Sequence, residues 1–200
     1  MVAISKIHNE KQRKIKIKKI LEAARQVFCR KGFLAVTMQD IIDECGISRG
    51  GIYLYFASVD EIFLEVMKQR NKDSFSANEP FYTVLSDYFA RQKRRLTNFK
   101  NSLFRAYCEY IFSKPKAAVE AFRDTQFERL RETIVSILML GVKQNEIEGD
   151  IQRLADHFII TIDGLSVLAL SEALTEEMID SQIEILFEMT KNLKEHKNGI

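Results

Sequence analysis

Residues 37–63 read TMQDIIDECGISRGGIYLYFASVDEIF, and the reading of this stretch decides the fold. Thr37 followed three residues later by Asp40 forms a capping box, and Ile41-Ile42 begin the apolar face of a short helix behind it. Gly46 supplies a turn, because glycine enters positive φ without the strain other residues meet. Ser48 then caps a second helix, expected from Arg49 to about Phe56. Ser58 with Glu61 makes another capping box, opening a helix whose apolar face includes Ile62, Phe63 and Val66. Two short helices set across a glycine turn have the geometry of a helix-turn-helix, whose second helix enters the major groove of DNA.

The flanking charge points the same way. Residues 1–20 hold seven Lys/Arg (Lys6, Lys11, Arg13, Lys14, Lys16, Lys18 and Lys19) against one acid, Glu10. A solvated helix face would explain part of that run. Its place just ahead of the helix-turn-helix suits a basic arm lying along phosphates, with Lys14 and Lys16 as its contacts. Residues 1–56 carry eleven basic and five acidic side chains, whereas the remainder carries nineteen against twenty-three. The overall charge of +2 therefore hides a basic head on an acidic body.

The run KGFLAVTMQDIIDECGISRGGIYLYFASVDEIF, from Lys31, resembles the DNA-binding head of the TetR family of bacterial transcriptional regulators. The matching marks are Lys31-Gly32-Phe33, Thr37, Ile41, Gly46-Ile47-Ser48, Tyr53, Phe56 and Ser58 with Asp60-Glu61. By motif the resemblance covers roughly residues 15–65; beyond them it rests on length and helical layout. The chain departs from the pattern at four points. Val59 stands where the family usually has a phosphate-contacting lysine. Ile42 and Cys45 replace usual alanines, and Gly51 replaces a commoner Thr, Ser or Ala.

The resemblance implies that Thr37 and Tyr53, with Ser48, donate hydroxyl hydrogen bonds to phosphates, which set register without reading sequence. Arg49 is the candidate for base readout, since a guanidinium pairs bidentately with guanine O6 and N7. Gln39 and Tyr55 could contact DNA or equally be solvated or packing side chains. Gly50 and Gly51 cost their helix about 1 kcal/mol each relative to alanine. Either they let backbone approach the groove, or packing of Ile52 and Phe56 alone holds the helix. Ile20, Leu21, Ala24, Val27 and Phe28, with Phe33, Ile41, Ile47, Ile52, Phe56 and Ile62, are expected as the head's core.

Beyond about residue 75 loop signals thin out, with no glycine between Gly51 and Gly141. Helices are expected from Pro80 to about Leu96, over 101–112, from Pro115 to about Gln144, from Ile151 behind the cap Asp150 to about Ala173, and from Thr175 to about Glu195. Strand-like alternation is absent. The chain reads as all-α: an N-terminal three-helix helix-turn-helix DNA-binding head over residues 1–57, and a larger C-terminal helical ligand-binding and dimerisation domain over 58–200. A helix of about 58–73 links them.

Residues 75–127 contain twelve of the twenty aromatics. Most suit an ordinary helical core. The resemblance implies an inducer pocket in the second domain, for a small and hydrophobic ligand. Phe89, Phe104, Tyr107, Cys108, Tyr110 and Phe158 are its expected lining; Glu109 could neutralise a cationic ligand or simply be solvated. The run FIITIDGLSVLAL, Phe158 to Leu170, is the most apolar in the chain yet too short for a bilayer, which needs about 20 apolar residues. Leu154, Phe158, Ile162, Leu165 and Leu168 make one helical stripe; Ile179, Ile183, Leu186, Met189 and Leu193 make another. Two such helices could pair with their copies across a two-fold axis, as the resemblance implies, or serve an intramolecular core alone. Leu154, Ile162, Leu165, Leu168, Ile183, Leu186 and Met189 are the expected homodimer contacts, with Gly164 allowing close approach at the axis.

Catalysis finds little support. His8, His157 and His196 and the three cysteines Cys29, Cys45 and Cys108 are dispersed, without zinc-ligand spacing, and no phosphate-cradling loop or nucleophile elbow is present. No cofactor or metal is expected. Unpaired cysteines fit a reducing cytoplasm, and the basic N-terminus leads into no signal-peptide core. The expectation is a cytoplasmic, dimeric, ligand-responsive repressor of a double-stranded operator, with no membrane association. An activator of the same fold, or a helical enzyme or scaffold not acting on DNA, are the alternatives.

Overall fold

The computed structural model describes residues 2–69 and 75–195, with side chains for residues 10–69, 75–99 and 101–191. Among the described residues the regular structure is entirely helical: α1 (Val2–Lys31), α2 (Met38–Cys45), α3 (Arg49–Tyr53), α4 (Val59–Lys68), α5 (Phe81–Thr97), α6 (Leu103–Ser113), α7 (Lys116–Lys143), α8 (Ile151–Leu170) and α9 (Glu176–Glu195), with a 3-10 turn at Phe99–Asn101 ahead of α6. The all-α expectation holds. The linking helix expected to residue 73, and His196, run outside the described residues.

The helices pack as two compact units. One holds α1–α4 together with α6; the other holds α5 and α7–α9. This differs from a boundary at residue 57. Both α4 and α6 pack on α1, so the sequence-distant α6 belongs with the head rather than with the bundle. The bonds that place it there are long-range, and no local signal announces them.

In the head unit, Ile20, Leu21, Ala24, Val27 and Phe28 of α1 bury against Phe33, Ile41, Ile52, Phe56 and Ile62. Ile47 is only half-buried. Phe63 sits at the centre of an aromatic cluster, 5.0 Å from Phe28, 5.1 Å from Phe33 and 5.0 Å from Tyr110 of α6. The basic segment expected as an arm is the first half of a 30-residue helix. No glycine or proline interrupts residues 2–31, and Lys, Arg, Ala and Glu are sound helix formers, so α1 continues past its core-facing part. From residue 10 to 19 every side chain is exposed except the half-buried Ile17.

The bundle unit closes around Phe81, Leu85, Tyr88 and Phe89 of α5, Ile134, Ile137 and Leu138 of α7, Leu154, Phe158, Ile162 and Leu165 of α8, and Ile179 and Leu186 of α9. Pro80 caps α5 without a side-chain acceptor; instead Gln144 accepts from Phe81 N at 2.8 Å and donates to Glu79 O at 2.8 Å, tying the start of α5 to the end of α7. Gly141 lets the Phe81 ring lie against α7, since a Cβ there would sit 2.9 Å from it. Asp150 caps α8 through Arg153 N at 3.0 Å. Ser166, which interrupts the apolar run of α8, is fully buried; it accepts from Arg95 and donates to Ile162 O at 2.8 Å.

Candidate nucleic-acid interface

The helix-turn-helix is built by its caps. Thr37 Oγ1 accepts from Asp40 N at 3.2 Å, while the Asp40 carboxylate accepts from Thr37 N at 2.9 Å, so the box is reciprocal. Lys31 reaches Asp40 from the end of α1 at 2.6 Å. That ammonium foremost, then the Thr37 N–H and hydroxyl, holds the Asp40 carboxyl down to about 2. Arg30 and Glu44 form a second ion pair between α1 and α2, and the arginine keeps the Glu44 carboxyl below its ordinary range. Gly46 ends α2 at φ 61°, the left-handed cap the turn requires.

Ser48 accepts from Gly51 N at 3.3 Å and opens α3. The helix stops at Tyr53 instead of Phe56, because Tyr55 N and Phe56 N both turn back to Ile52 O. Ser58 caps α4 through Glu61 N at 3.1 Å, but the Glu61 carboxylate accepts from Ala57 N, one residue earlier than a standard box. Val59 is the first residue of α4 and half-buried, so packing occupies the position where a phosphate-contacting lysine is usual.

The capped helices leave most of the candidate contact residues exposed. Thr37, Gln39, Ser48, Arg49, Gly50 and Tyr53 are exposed, while Gly51 and Tyr55 are half-buried; Lys14 and Lys16 are exposed on α1. The Arg49 guanidinium lies 5.8 Å from the centre of the Tyr53 ring, one turn along α3. Gln39 donates to Asp43 at 2.7 Å. The two glycines separate. A Cβ on Gly50 would meet nothing within 4 Å, whereas one on Gly51 would lie 2.8 Å from Ile47 Cγ2. Gly51 therefore answers to packing against Ile47. One further exposed side chain sits beside these and was not expected: Leu54, which caps α3 and is 79% exposed. Its place between Tyr53 and Tyr55, off the Ile52–Phe56 core spacing, was the available signal.

Glu109 was also misread. It is neither solvated nor turned to a ligand: its carboxylate accepts from Phe33 N at 2.6 Å and Leu34 N at 3.0 Å, and Arg105 Nε holds its other oxygen at 2.9 Å. Burial pushes the Glu109 carboxyl up, but the Leu34 N–H, Arg105 and the Phe33 N–H together bring it below its ordinary range.

The six residues expected to line a pocket do not gather in one unit. Phe104, Tyr107, Cys108 and Tyr110 ride on α6 in the head unit; Phe89 and Phe158 lie 5.4 Å apart in the bundle core, with Phe187 5.1 Å from Phe89. Tyr110 is buried against Phe33, 4.9 Å away. Core packing thus occupies Phe89, Phe158 and Tyr110, while Phe104, Tyr107 and Cys108 are half-buried.

The expected dimer stripe lies mostly within the bundle's own core. Leu154, Ile162, Leu165 and Leu186 are buried in the bundle's own core, against which Ile183 and Met189 pack half-buried; of the set only Leu168 is exposed. The outward apolar face of α8 carries Ile160, Val167 and Leu168, and that of α9 carries Met178 and Ile185. A groove between them is lined by Ile160, Thr161, Gly164, Leu165, Leu168, Glu177, Met178, Ser181 and Gln182. Nothing lies within 4 Å of the site of a Cβ on Gly164. No helix among the described residues is long and apolar enough to cross a membrane.

Capped short helices joined by a left-handed glycine, with an exposed arginine and hydroxyls around the second, define a helix-turn-helix DNA-binding protein. Residues 20–66 match the N-terminal family model of bacterial regulatory proteins of the tetR family. The HTH-type transcriptional regulator YfiR of Bacillus subtilis is 28% identical over 171 residues, covering 81% of this chain and 82% of its own. The fatty acid metabolism regulator protein of the same organism is 29% identical over 91 residues, 40% of this chain and 47% of its own. A TetR-family regulator from Agrobacterium tumefaciens shares the fold, with a TM-score of 0.65 at 19% identity, over 88% of this chain and 98% of that one. Residues 20–66 thus carry the N-terminal region of a tetR-type regulator, and over most of its length the chain resembles HTH-type transcriptional regulators.

Proposed function

We propose that this regulator is a ligand-responsive repressor that binds a near-palindromic operator as a homodimer. The observation that supports the DNA contact is the capped helix-turn-helix itself, whose Thr37, Ser48, Arg49 and Tyr53 are all exposed, with the Arg49 guanidinium 5.8 Å from the centre of the Tyr53 ring. In this reading Arg49 pairs with a guanine, Thr37, Ser48 and Tyr53 bond phosphates, and Leu54 meets a thymine methyl. Gln39 exchanges its Asp43 bond for a base edge, Tyr55 flanks the groove, and Gly50 leaves room for backbone approach. Lys14 and Lys16 neutralise phosphates from the exposed stretch of α1.

The outward faces of α8 and α9, through Ile160, Val167, Leu168, Met178 and Ile185, pair with a second copy. This is supported by apolar residues at helical spacing around a glycine that accepts close approach. An apolar inducer, in keeping with a relative named as a fatty acid metabolism regulator, would act by favouring one head separation over another. It can shift that balance only by its differential affinity for the two states. Displacement of α4 or α6, both packed on α1, would carry the change to the helix-turn-helix.

Binding to DNA upstream of the chain's own gene, titrated with salt, tests the reading. Log affinity falls linearly with log salt, and Lys14→Ala reduces that slope by about 1 while weakening all sequences alike. Arg49→Ala costs about 1–3 kcal/mol on the operator and relaxes preference at the base pair it reads. Absence of binding at low salt sinks the proposal, and a uniform loss in Arg49→Ala removes its base-reading role. Ile160→Asp, at an exposed position, should give a folded monomer by sedimentation; an unchanged dimer would place the interface elsewhere.

A further inference from the structure

Six residues, Gly32 to Thr37, join α1 to α2, and the last of them caps α2. Gly32 N donates back to Phe28 O at 2.9 Å and closes α1 in the left-handed region, at φ 78°. Val36 N donates to Phe33 O at 3.2 Å, and Thr37 N to Asp40. Two successive donors of this loop, Phe33 N and Leu34 N, both go to one oxygen of Glu109, 76 and 75 positions further along the chain. Successive amides following a left-handed residue form an anion-binding concavity, and here a side chain of the same protein fills it.

Several independent features hold that carboxylate in place. A Cβ on Gly32 would collide with both Glu109 oxygens, so glycine is demanded there by space as well as by φ. Arg105, one turn earlier on α6, pairs with the other Glu109 oxygen. The end of α6 is fastened separately: Lys114 pairs with Asp60 in the first turn of α4 and stands 5.5 Å from the centre of the Phe33 ring and 5.7 Å from that of Tyr110.

We propose that Glu109 is a positioning residue for sequence readout: by fixing Phe33 and Leu34 it sets where Thr37, and with it α2 and α3, meets DNA. This rests on the DNA-binding reading and adds a residue outside the helix-turn-helix that touches no DNA. An uncapped loop would leave the exposed lysines and hydroxyls available but in the wrong register. Its loss should therefore weaken specific binding and spare binding to arbitrary sequence, a pattern that removal of a phosphate contact or general destabilisation does not produce.

The test uses the full chain and two duplexes: one selected by the wild-type protein from a random-sequence library, and one of unrelated sequence. If the wild type selects no sequence, the DNA-binding proposal fails and this one falls with it. If it does select, Glu109→Ala is expected to lower affinity for the selected duplex about tenfold or more while staying within about twofold on the unrelated one. Glu109→Gln, which keeps an acceptor oxygen, recovers most of the loss. An unchanged ratio of the two affinities in Glu109→Ala, or a loss as large in Glu109→Gln, overturns the proposal. Should Glu109→Ala prove unfolded by circular dichroism, Arg105→Ala decides. Arg105 is half-exposed, and its removal should lower the selected-duplex affinity about threefold with no change on the other; no selective change overturns the assignment.

Discussion

The head unit and the bundle unit solve the same problem, keeping helices in place, by different physics. The bundle has α5, α7, α8 and α9, each of 17 residues or more, and stacks their apolar stripes around Phe89 and Phe158. Its polar fastenings, such as Gln144 and the Arg131–Asp156 pair, are accessories at the edges. In the head, α2, α3 and α4 have 8, 5 and 10 residues, lengths that do not persist as isolated helices in water. Each buries only a few apolar side chains (Ile41, Ile52, and Ile62 with Phe63 among them), and they are further fastened by Thr37, Ser48 and Ser58 at the caps, Lys31 and Arg30 reaching across to α2, and Glu109 and Lys114 arriving with α6. The difference teaches that directional bonds help set the geometry of the helix-turn-helix, whereas apolar volume carries stability in the bundle. A helix whose exposed side chains must meet a groove at fixed positions cannot rely on a core that tolerates repacking.

The largest break in this contrast comes from the bundle. Phe158 is wholly buried and lies 5.4 Å from Phe89. Phe158→Ala should cost about 3–5 kcal/mol in chemical denaturation, through lost transfer energy and the cavity left behind. Protein that remains folded should bind DNA with wild-type sequence preference. If Phe158→Ala instead altered base preference while folded, the division of labour drawn above would be wrong.

An intermediate effect is expected in the head. Thr37→Ala removes a cap with two bonds to Asp40 and should cost about 1 kcal/mol. Its effect on DNA should be larger than stability alone predicts, because the hydroxyl is also the proposed phosphate donor. Thr37→Ser restores both functions. Equal DNA binding by the Ala and Ser variants, at equal folded fraction, would strip Thr37 of its role at the interface.

The same contrast explains what could be read from sequence. Caps lie within three residues of what they cap, so Thr37–Asp40, Gly46, Ser48 and Ser58 were legible and placed the helix-turn-helix correctly. Glu109 and α6 were not, because the Phe33 and Leu34 amides they serve are invisible to any local pattern. The helices of the bundle were legible too, within a few residues. Which of their faces turns inward was not legible. In FIITIDGLSVLAL nearly every position is apolar, so both the inner Ile162–Leu165 side and the outer Ile160–Val167 side satisfy a helical stripe. The buried Ser166 bond to Ile162 O, with Arg95 reaching it, shows which side faces in. Polarity read as an interruption of the stripe was in fact part of the core.

The smallest expected effect concerns pH and isolates one clasp of the head. The Asp40 carboxyl is held at about 2 in the folded chain by Lys31 foremost and then by Thr37, against an ordinary value of 3.8 once those partners are gone. A lowered folded value means that folding favours the ionised form, so the clasp contributes fully above about pH 4 and is lost as pH falls from there through about 2. Asp40 is close to the surface, so solvent screens the pairing and the contribution is modest. The clean measurement is the urea midpoint of the wild type and of Asp40→Asn as a function of pH. Other carboxylates titrate in both proteins and drop out of the difference. The two curves should run parallel from pH 7 down to about 4 and converge below it, as the wild type gains the proton that asparagine never needed. Curves that stay parallel to pH 2 would mean that Lys31 and Asp40 meet without stabilising the head, leaving Glu109 and the caps as its directional supports.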